Sequence, residues 1–260
     1  MRLPGETKIN TLLKGWPPGT VYLSPWLAEN GISGQLLHQY KKNKWVDAVG
    51  KGAVIRSGSR VDYLGALYAL QQQAGMSVHV GGRTALSLLG LGHYLELSPK
   101  RAVLFGAANE TLPHWFKNHD WGISLDYFAT SFLPPDMGLI TLDLLNFSVR
   151  ISCPVRAILE CLYLAPKNQE MYECLELMQG LNSLRPQVVQ QMLENCSSVK
   201  VKRLFLYLAE KFNHLWLEFL DLTRVHLGSG KRSLVENGVY INKYKITVPG
   251  EFEKNERPNL

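Results

Sequence analysis

The apolar positions of the first sixty residues switch between a helical and an extended period, and Gly or Pro punctuates most switches. Lys8 to Trp16 repeats at the helical period and is stopped by Pro17-Pro18-Gly19. Val21-Tyr22-Leu23 is a short extended run. Ser24-Pro25 predicts a second helix, with Ser24 as N-cap and Pro25 at the first helical position, ending at Asn30-Gly31. Ser33 caps a third helix that is expected to reach about Lys44. Trp45–Val49 and Ala53–Arg56 then flank Gly50-Lys51-Gly52, two β-prone runs around a Gly-rich turn, which predicts a hairpin. Helix, strand, helix, helix, hairpin is the order of a winged helix-turn-helix.

Further on, residues 61–74 (VDYLGALYALQQQA) predict an amphipathic helix with Leu64, Leu67 and Tyr68 inward and Gln71 at its edge. Val78-His79-Val80 reads as a strand, and Gly81-Gly82 leads into a helix over RTALSLLG. From Tyr94 to Ile151 the runs YLEL, RAVLFGA, WGISLDYFAT and LITLDLLNFSVRIS predict strands. Cys153 to about Leu222 turns helical, and VYINKYKITVP reads as a last strand. Strands and helices come in blocks, not in βαβ alternation, so the fold class is α+β. The expected organisation is an N-terminal module over 1–95, with the winged helix at about 5–58 plus linking helices. A mixed α+β C-terminal domain follows over 96–260.

Composition adds a globular core and a charge asymmetry. Hydrophobic residues make up 46% of the chain and charged residues 19%. No apolar run has the length of a membrane span, and MRLPGETKINTLLKGW lacks the apolar segment of a secretory signal, so no membrane partner and a cytoplasmic location are expected. Residues 1–60 hold nine Lys or Arg against three acids, which is the whole net charge of +6. The other 200 residues carry 19 of each sign. A basic module joined to a neutral body suits a polyanion-binding head. Cys153, Cys161, Cys174 and Cys196 include no C-x-x-C pair and have no neighbouring His cluster, so buried reduced thiols are expected and no metal site.

The third helix carries the candidate chemistry. At 100° per residue, Ile32, Leu36, Leu37 and Tyr40 share one face, while Gly34, Gln35, His38, Lys41 and Lys42 share the opposite one, with Gln39 on the flank. A Gln amide can pair with adenine N6 and N7, and lysine suits phosphate or guanine. Lys51 at the wing tip and Arg56 on its return strand suit backbone contact. Ser33, Gln35, His38, Gln39, Lys41, Lys42, Lys51 and Arg56 are therefore the expected DNA-binding residues. Other motifs fail inspection. Gly228-Ser229-Gly230-Lys231-Arg232 has Val225 where a phosphate loop needs its first glycine and Arg232 where it needs Ser or Thr. Gly50-Lys51-Gly52 lacks the third glycine of a dinucleotide loop. His114 and His119 lack neighbouring ligands, and no spacing pairs Asp126 with Asp143. No catalytic residue, metal or cofactor is expected, and the chain reads as a binding protein and not an enzyme.

The segments KINTLLKGWPPGTVYLSPWLAENGISGQLLHQYKKNKWVDAVGKGAVIR, VDYLGALYALQQQ and HVGGRTALSLLGLGHYL closely resemble the AbiEi family over residues 7–97. Its members are antitoxins and transcriptional regulators of type IV toxin–antitoxin systems, which act in abortive infection as a phage defence. The resemblance implies a winged-helix module joined to a C-terminal antitoxin domain. It also implies a partner gene for an AbiEii-like nucleotidyltransferase toxin, counteracted without a stable complex, and repression of the shared promoter through inverted repeats. A reading from another class stays open: a nucleic-acid-processing or tRNA-interacting factor that docks through the winged helix.

Overall fold

The computed structural model describes residues 7–92 and 100–254. The expected YLEL strand and the boundary at residue 95 lie outside the described residues. The winged helix comprises α1 (Lys8–Gly15), β1 (Tyr22–Leu23), α2 (Ser24–Glu29), α3 (Gly34–Lys42), β2 (Val46–Gly50) and β3 (Ala53–Arg56). Its strands form a sheet in the order β1-β3-β2, with Tyr22 opposite Val54 and a bulge between Ala48 and Gly50. Ile9, Trp16, Tyr22, Leu27, Ile32, Leu37, Tyr40, Val46 and Val54 make its own small core. One detail departs from expectation: α2 begins at Ser24, with Leu23 in the cap position and no side-chain cap bond. The Ser24 amide instead donates to the Gly52 carbonyl at 2.8 Å, tying α2 to the wing turn.

The body follows: α4 (Tyr63–Gln72), β4 (His79–Val80), α5 (Gly82–Leu88), β5 (Arg101–Ala107), α6 (His114–Asn118), β6 (Ser124–Thr130), β7 (Leu139–Asp143) and β8 (Ser148–Ser152). It continues with α7 (Pro154–Leu164), α8 (Met171–Gln179), α9 (Pro186–Asn195) and α10 (Val199–Lys211), and closes with β9 (Arg232–Ser233), β10 (Val239–Ile241), β11 (Ile246–Val248) and α11 (Gly250–Lys254). A mixed sheet runs β6-β5-β4-β8-β7, parallel between β5 and β6 and between β4 and β8, antiparallel elsewhere. The 139–152 run, expected as one strand, folds as the β7–β8 hairpin, because Leu144–Phe147 supplies a turn that apolar side chains disguise. The 239–249 run divides likewise into β10 and β11. Helix α6 is five residues long and carries no apolar period, so the sequence pattern does not reveal it.

By packing, α4, β4 and α5 go with the body. The strand β4 is the middle strand of the five, and Leu64, Leu67, Leu70, Val80, Ala85 and Leu86 belong to the same core as Ile158, Leu162, Phe205 and Leu208. That core also takes in Val21, Leu23 and Ala53 from the winged helix, so the two units share apolar contacts.

A buried carboxylate organises the centre of the body. Glu160 on α7 is fully buried and accepts from Ser152 Oγ at 2.8 Å, the Gly82 amide at 2.8 Å and Arg156 Nε at 2.8 Å, and its Oε1 lies 3.0 Å from His79 Nε2. It thus joins β4, α5, β8 and α7. The same Arg156 donates to the carbonyls of Pro134, Pro135 and Met137. The Gly81-Gly82 pair is required by this approach: a Cβ at Gly81 would stand 2.3 Å from Glu160 Oε2, and Gly82 has a φ of +53°. Burial on its own raises the Glu160 pKa, but the hydrogen bond and charge of His79 and the Arg156 guanidinium outweigh it and hold the carboxyl below its ordinary value.

A group depressed in this way stabilises the fold fully above the unfolded carboxylate value, about 4.3, and loses that contribution as the pH falls through its folded value. Glu160→Gln should cost about 3–5 kcal/mol at neutral pH, because Arg156 loses its buried counter-charge and one of the two accepting carboxylate oxygens becomes an amide NH2 that donates. It should also weaken the loss of stability on acidification. Urea unfolding of both proteins at neutral and acid pH measures this, and an unchanged midpoint at neutral pH would contradict the role given to Glu160.

Candidate nucleic-acid interface

Helix α3 is built as its sequence requires. Asn30 and Gly31, the latter at φ +83°, reverse the chain after α2, and the Ile32 amide donates back to the Leu27 carbonyl at 2.9 Å. The Ser33 hydroxyl accepts from the Leu36 amide at 3.2 Å, so Ser33 serves as the N-cap. Leu37 and Tyr40 are buried in the small core and Leu36 is half-buried against it. Lys41 and Lys42 lie in the last turn, where cations suit the helix dipole. The helix ends at Lys42, two residues short of expectation, and Lys44 takes a positive φ of 56°.

The outward face is the expected one. Ser33, Gly34, Gln35, His38, Gln39, Lys41 and Lys42 are all exposed. Nine residues at a rise of 1.5 Å give a length of about 13 Å, comparable to the width of a B-DNA major groove. A Cβ built on Gly34 would meet no atom of the protein within 4 Å, so the fold does not require glycine there. The absence of a side chain leaves room for close approach from outside.

The wing places its two cations differently. Lys51 is exposed at the hairpin tip, beside Gly52 at φ +91°. Arg56 lies at the far end of β3, half-buried, and lines a groove with Asn10, Leu13, Lys14, Trp16 and Pro18 of the α1 side. Of the eight expected residues, seven are exposed on α3 and at the wing tip, whereas Arg56 sits beside α1.

Sequence reading overlooked Asn43 and Trp45. Trp45 is 42% exposed just past the end of α3, with its ring 5.4 Å from that of Tyr40. Together with Lys8, Asn10, Gln39 and Asn43 it lines an open groove between α1 and the end of α3. The available signal was an aromatic residue directly after a basic run, read only as the start of a strand. Tyr22, which lines a neighbouring pocket with Leu12, Trp26 and Ile32, donates to the Gly15 carbonyl at 3.2 Å. Burial, helped by nearby Tyr68, pushes its pKa up to about 12, so it remains a donor.

Elsewhere the rejected motifs have structural explanations. The carbonyls of Gly228 and Gly230 accept from the buried Arg203 guanidinium at 2.9 and 2.6 Å, which points carbonyls and not amides at a charged group. The four cysteines are buried and form no disulfide, and burial is the largest effect raising each thiol pKa. Among the described residues, no three His, Cys, Asp or Glu side chains cluster as metal ligands, and no helix is long and apolar enough to cross a membrane.

Two family models match the chain. Residues 5–97 match the model described as transcriptional regulator, AbiEi antitoxin N-terminal domain, and residues 99–249 match transcriptional regulator, AbiEi antitoxin, type IV TA system. The chain belongs to the AbiEi family. The family is one of type IV antitoxins that are transcriptional regulators. No curated protein matches the chain in sequence. The crystal structure of the RV2827C protein from Mycobacterium tuberculosis is similar, with a TM-score of 0.59 over 92% of this chain and 88% of that one. At 12% identity the likeness concerns the fold alone. An α+β class with a winged helix at the N-terminus agrees with all of these matches.

The division of roles on α3 and the wing is open to direct measurement. On the expectation that the Gln35 amide reads a base, Gln35→Ala in this AbiEi chain should cost about 1–3 kcal/mol on its preferred duplex and relax base preference. Lys41→Ala should weaken preferred and scrambled duplexes alike and reduce the slope of log K against log salt by about 1. Anisotropy titrations across a salt series distinguish the two. Equal effects of both variants on both duplexes would refute the division.

Proposed function

We propose that this AbiEi chain binds the promoter of its own operon at inverted repeats and represses it. We further propose that it counteracts a cognate AbiEii-like nucleotidyltransferase toxin in the cytoplasm. The observation that carries the DNA-binding part is the outward face of α3. It is a continuous row of amides, an imidazole and lysines that the fold leaves exposed, above a glycine the fold does not need. The restriction of the net charge to residues 1–60 supports the same reading. The order of helices, strand and hairpin around α3 supports it as well.

The toxin-directed part rests on family membership and on the size of the body, which has a core far larger than a winged helix needs. The proposal gives the chain no catalytic step and no cofactor. It requires no stable complex with the toxin.

The test uses the full chain, because β4 and α4 share the body's core and a cut near residue 95 would open it. Expressed from an independent promoter beside the toxin, Lys41→Ala/Lys42→Ala should lose repression and lose the shift of the upstream duplex, yet still restore growth. Failure of the wild-type chain to shift that duplex would refute the promoter reading. A variant that folds normally by circular dichroism but no longer rescues growth would place antitoxicity in the head as well.

A further inference from the structure

The wing does not project freely. Its hairpin lies between two cores: Val46 and Val54 point into the winged helix, while Ala53 is fully buried in the body's core and Val49 and Ile55 pack against it. Helix α6 of the body closes on the outer strand. A Cβ built on Gly50 would stand 2.8 Å from Trp115 Cβ and 3.2 Å from Trp115 Cα, so the two backbones are as close as a missing side chain allows. Trp115 is itself locked. It is 7% exposed, and its ring lies 5.6 Å from Phe116 and 6.4 Å from Trp121. The residue after Gly50 is Lys51, the exposed cation of the wing tip. Nothing within the winged helix makes glycine necessary at position 50; the body does.

We infer that Trp115 is a positioning residue for DNA binding: its indole anchors α6 in the body, and the α6 backbone it fixes abuts Gly50 and holds the end of the outer strand at the angle that lets Lys51 meet the duplex engaged by α3. The inference rests on the DNA-binding reading above and extends it to a residue remote from the α3 face. Gly52 stays tied to Ser24 and Ala53 to the body's core, so with α6 loosened it is the free edge of β2 that frays, and Lys51 at its end loses part of its contribution because the ordering entropy would fall due on binding.

The experiment compares the wild-type chain, Lys51→Ala, Trp115→Ala, Trp115→Phe, Gly50→Ala and the doubles of Lys51→Ala with Trp115→Ala and with Gly50→Ala. The probes are the duplex from immediately upstream of this chain's own gene and a scrambled duplex of equal length. Amide exchange over residues 46–56 without DNA reports how firmly the wing is held. Gly50→Ala keeps the Trp115 indole but forces β2 and α6 apart, since its Cβ would stand 2.8 Å from Trp115 Cβ, so it serves if Trp115→Ala fails to fold. Lys51→Ala alone should lower the salt slope by about 1. Trp115→Ala and Gly50→Ala should lower it by part of that amount and speed exchange in the hairpin, and adding Lys51→Ala to either should lower it further by less than Lys51→Ala does alone. Trp115→Phe should retain the wild-type slope. If Lys51→Ala keeps its full effect in both altered backgrounds while the wild type binds DNA normally, the positioning role is refuted and the DNA-binding reading stands. If the wild type binds neither duplex while exchange still depends on Trp115, both readings fall and only the mechanical contact remains.

Discussion

Two glutamine side chains, Gln71 on α4 and Gln73 at its C-cap, join the head to the body, and the posture of the whole molecule depends on them. The strand β1 is two residues long and pairs with β3 on one side only, which leaves its outer backbone groups in need of partners. Gln73 supplies them: the Leu23 amide donates to its Oε1 at 2.7 Å, and its Nε2 donates to the Val21 carbonyl at 3.0 Å. The Val21 amide goes to the Gly65 carbonyl on the same helix at 3.1 Å. Two residues before Gln73, buried Gln71 does the equivalent for the body. It bonds both backbone groups of Arg150, at 2.8 and 2.9 Å, and the Val78 carbonyl at 2.7 Å. One helix therefore completes the edge of β1 in the head and, where short β4 stops, the open side of β8 in the body.

An amide side chain suits this role because it carries a donor and an acceptor side by side, as a strand backbone does. Satisfying such groups counts because a buried unpaired donor or acceptor costs about 1–3 kcal/mol. Apolar contact reinforces the joint: Tyr68 touches both cores and meets Phe147 of the β7–β8 hairpin at 5.6 Å. With α6 against the wing and α4 against β1, the winged helix is held on two sides, while its α3 face is left open. A head held in this way loses little further freedom on docking, the general advantage of preorganisation.

The body carries its polar groups in a different manner. Glu160, Arg156, His79 and Ser152 gather in the interior, where they form one hydrogen-bonded group joining four elements. Arg203 does the same for the C-terminal segment, donating to the carbonyls of Leu227, Gly228, Gly230 and Lys245. These charged side chains have structural employment. They are the kind of residues that a search for catalytic groups would pick out from sequence, and their saturation with internal partners explains why they suggest none. Gln35, His38, Gln39, Lys41 and Lys42 of α3 stand in contrast, since they are exposed to solvent.

Local physics determined the winged helix from sequence. Period, caps and turn residues act over a few positions, so Ser33, Asn30-Gly31 and Lys51-Gly52 could be placed correctly from the residues beside them, and the outward face of α3 followed from 100° spacing. Charge counting located the basic head, because net charge needs no geometry. What the sequence could not show was decided by partners far along the chain. Gln71 read as the polar edge of an amphipathic helix, yet it is buried, because Arg150 and Val78 satisfy it. The β7–β8 turn hid behind Leu144, Leu145 and Phe147, whose apolar character continues the strand pattern. Gly50 read as a turn residue, yet it is glycine because Trp115, 65 positions away, occupies the space its side chain would need. Short-range preference is written in neighbouring residues, whereas close approach and hydrogen-bond satisfaction arise only when distant segments meet.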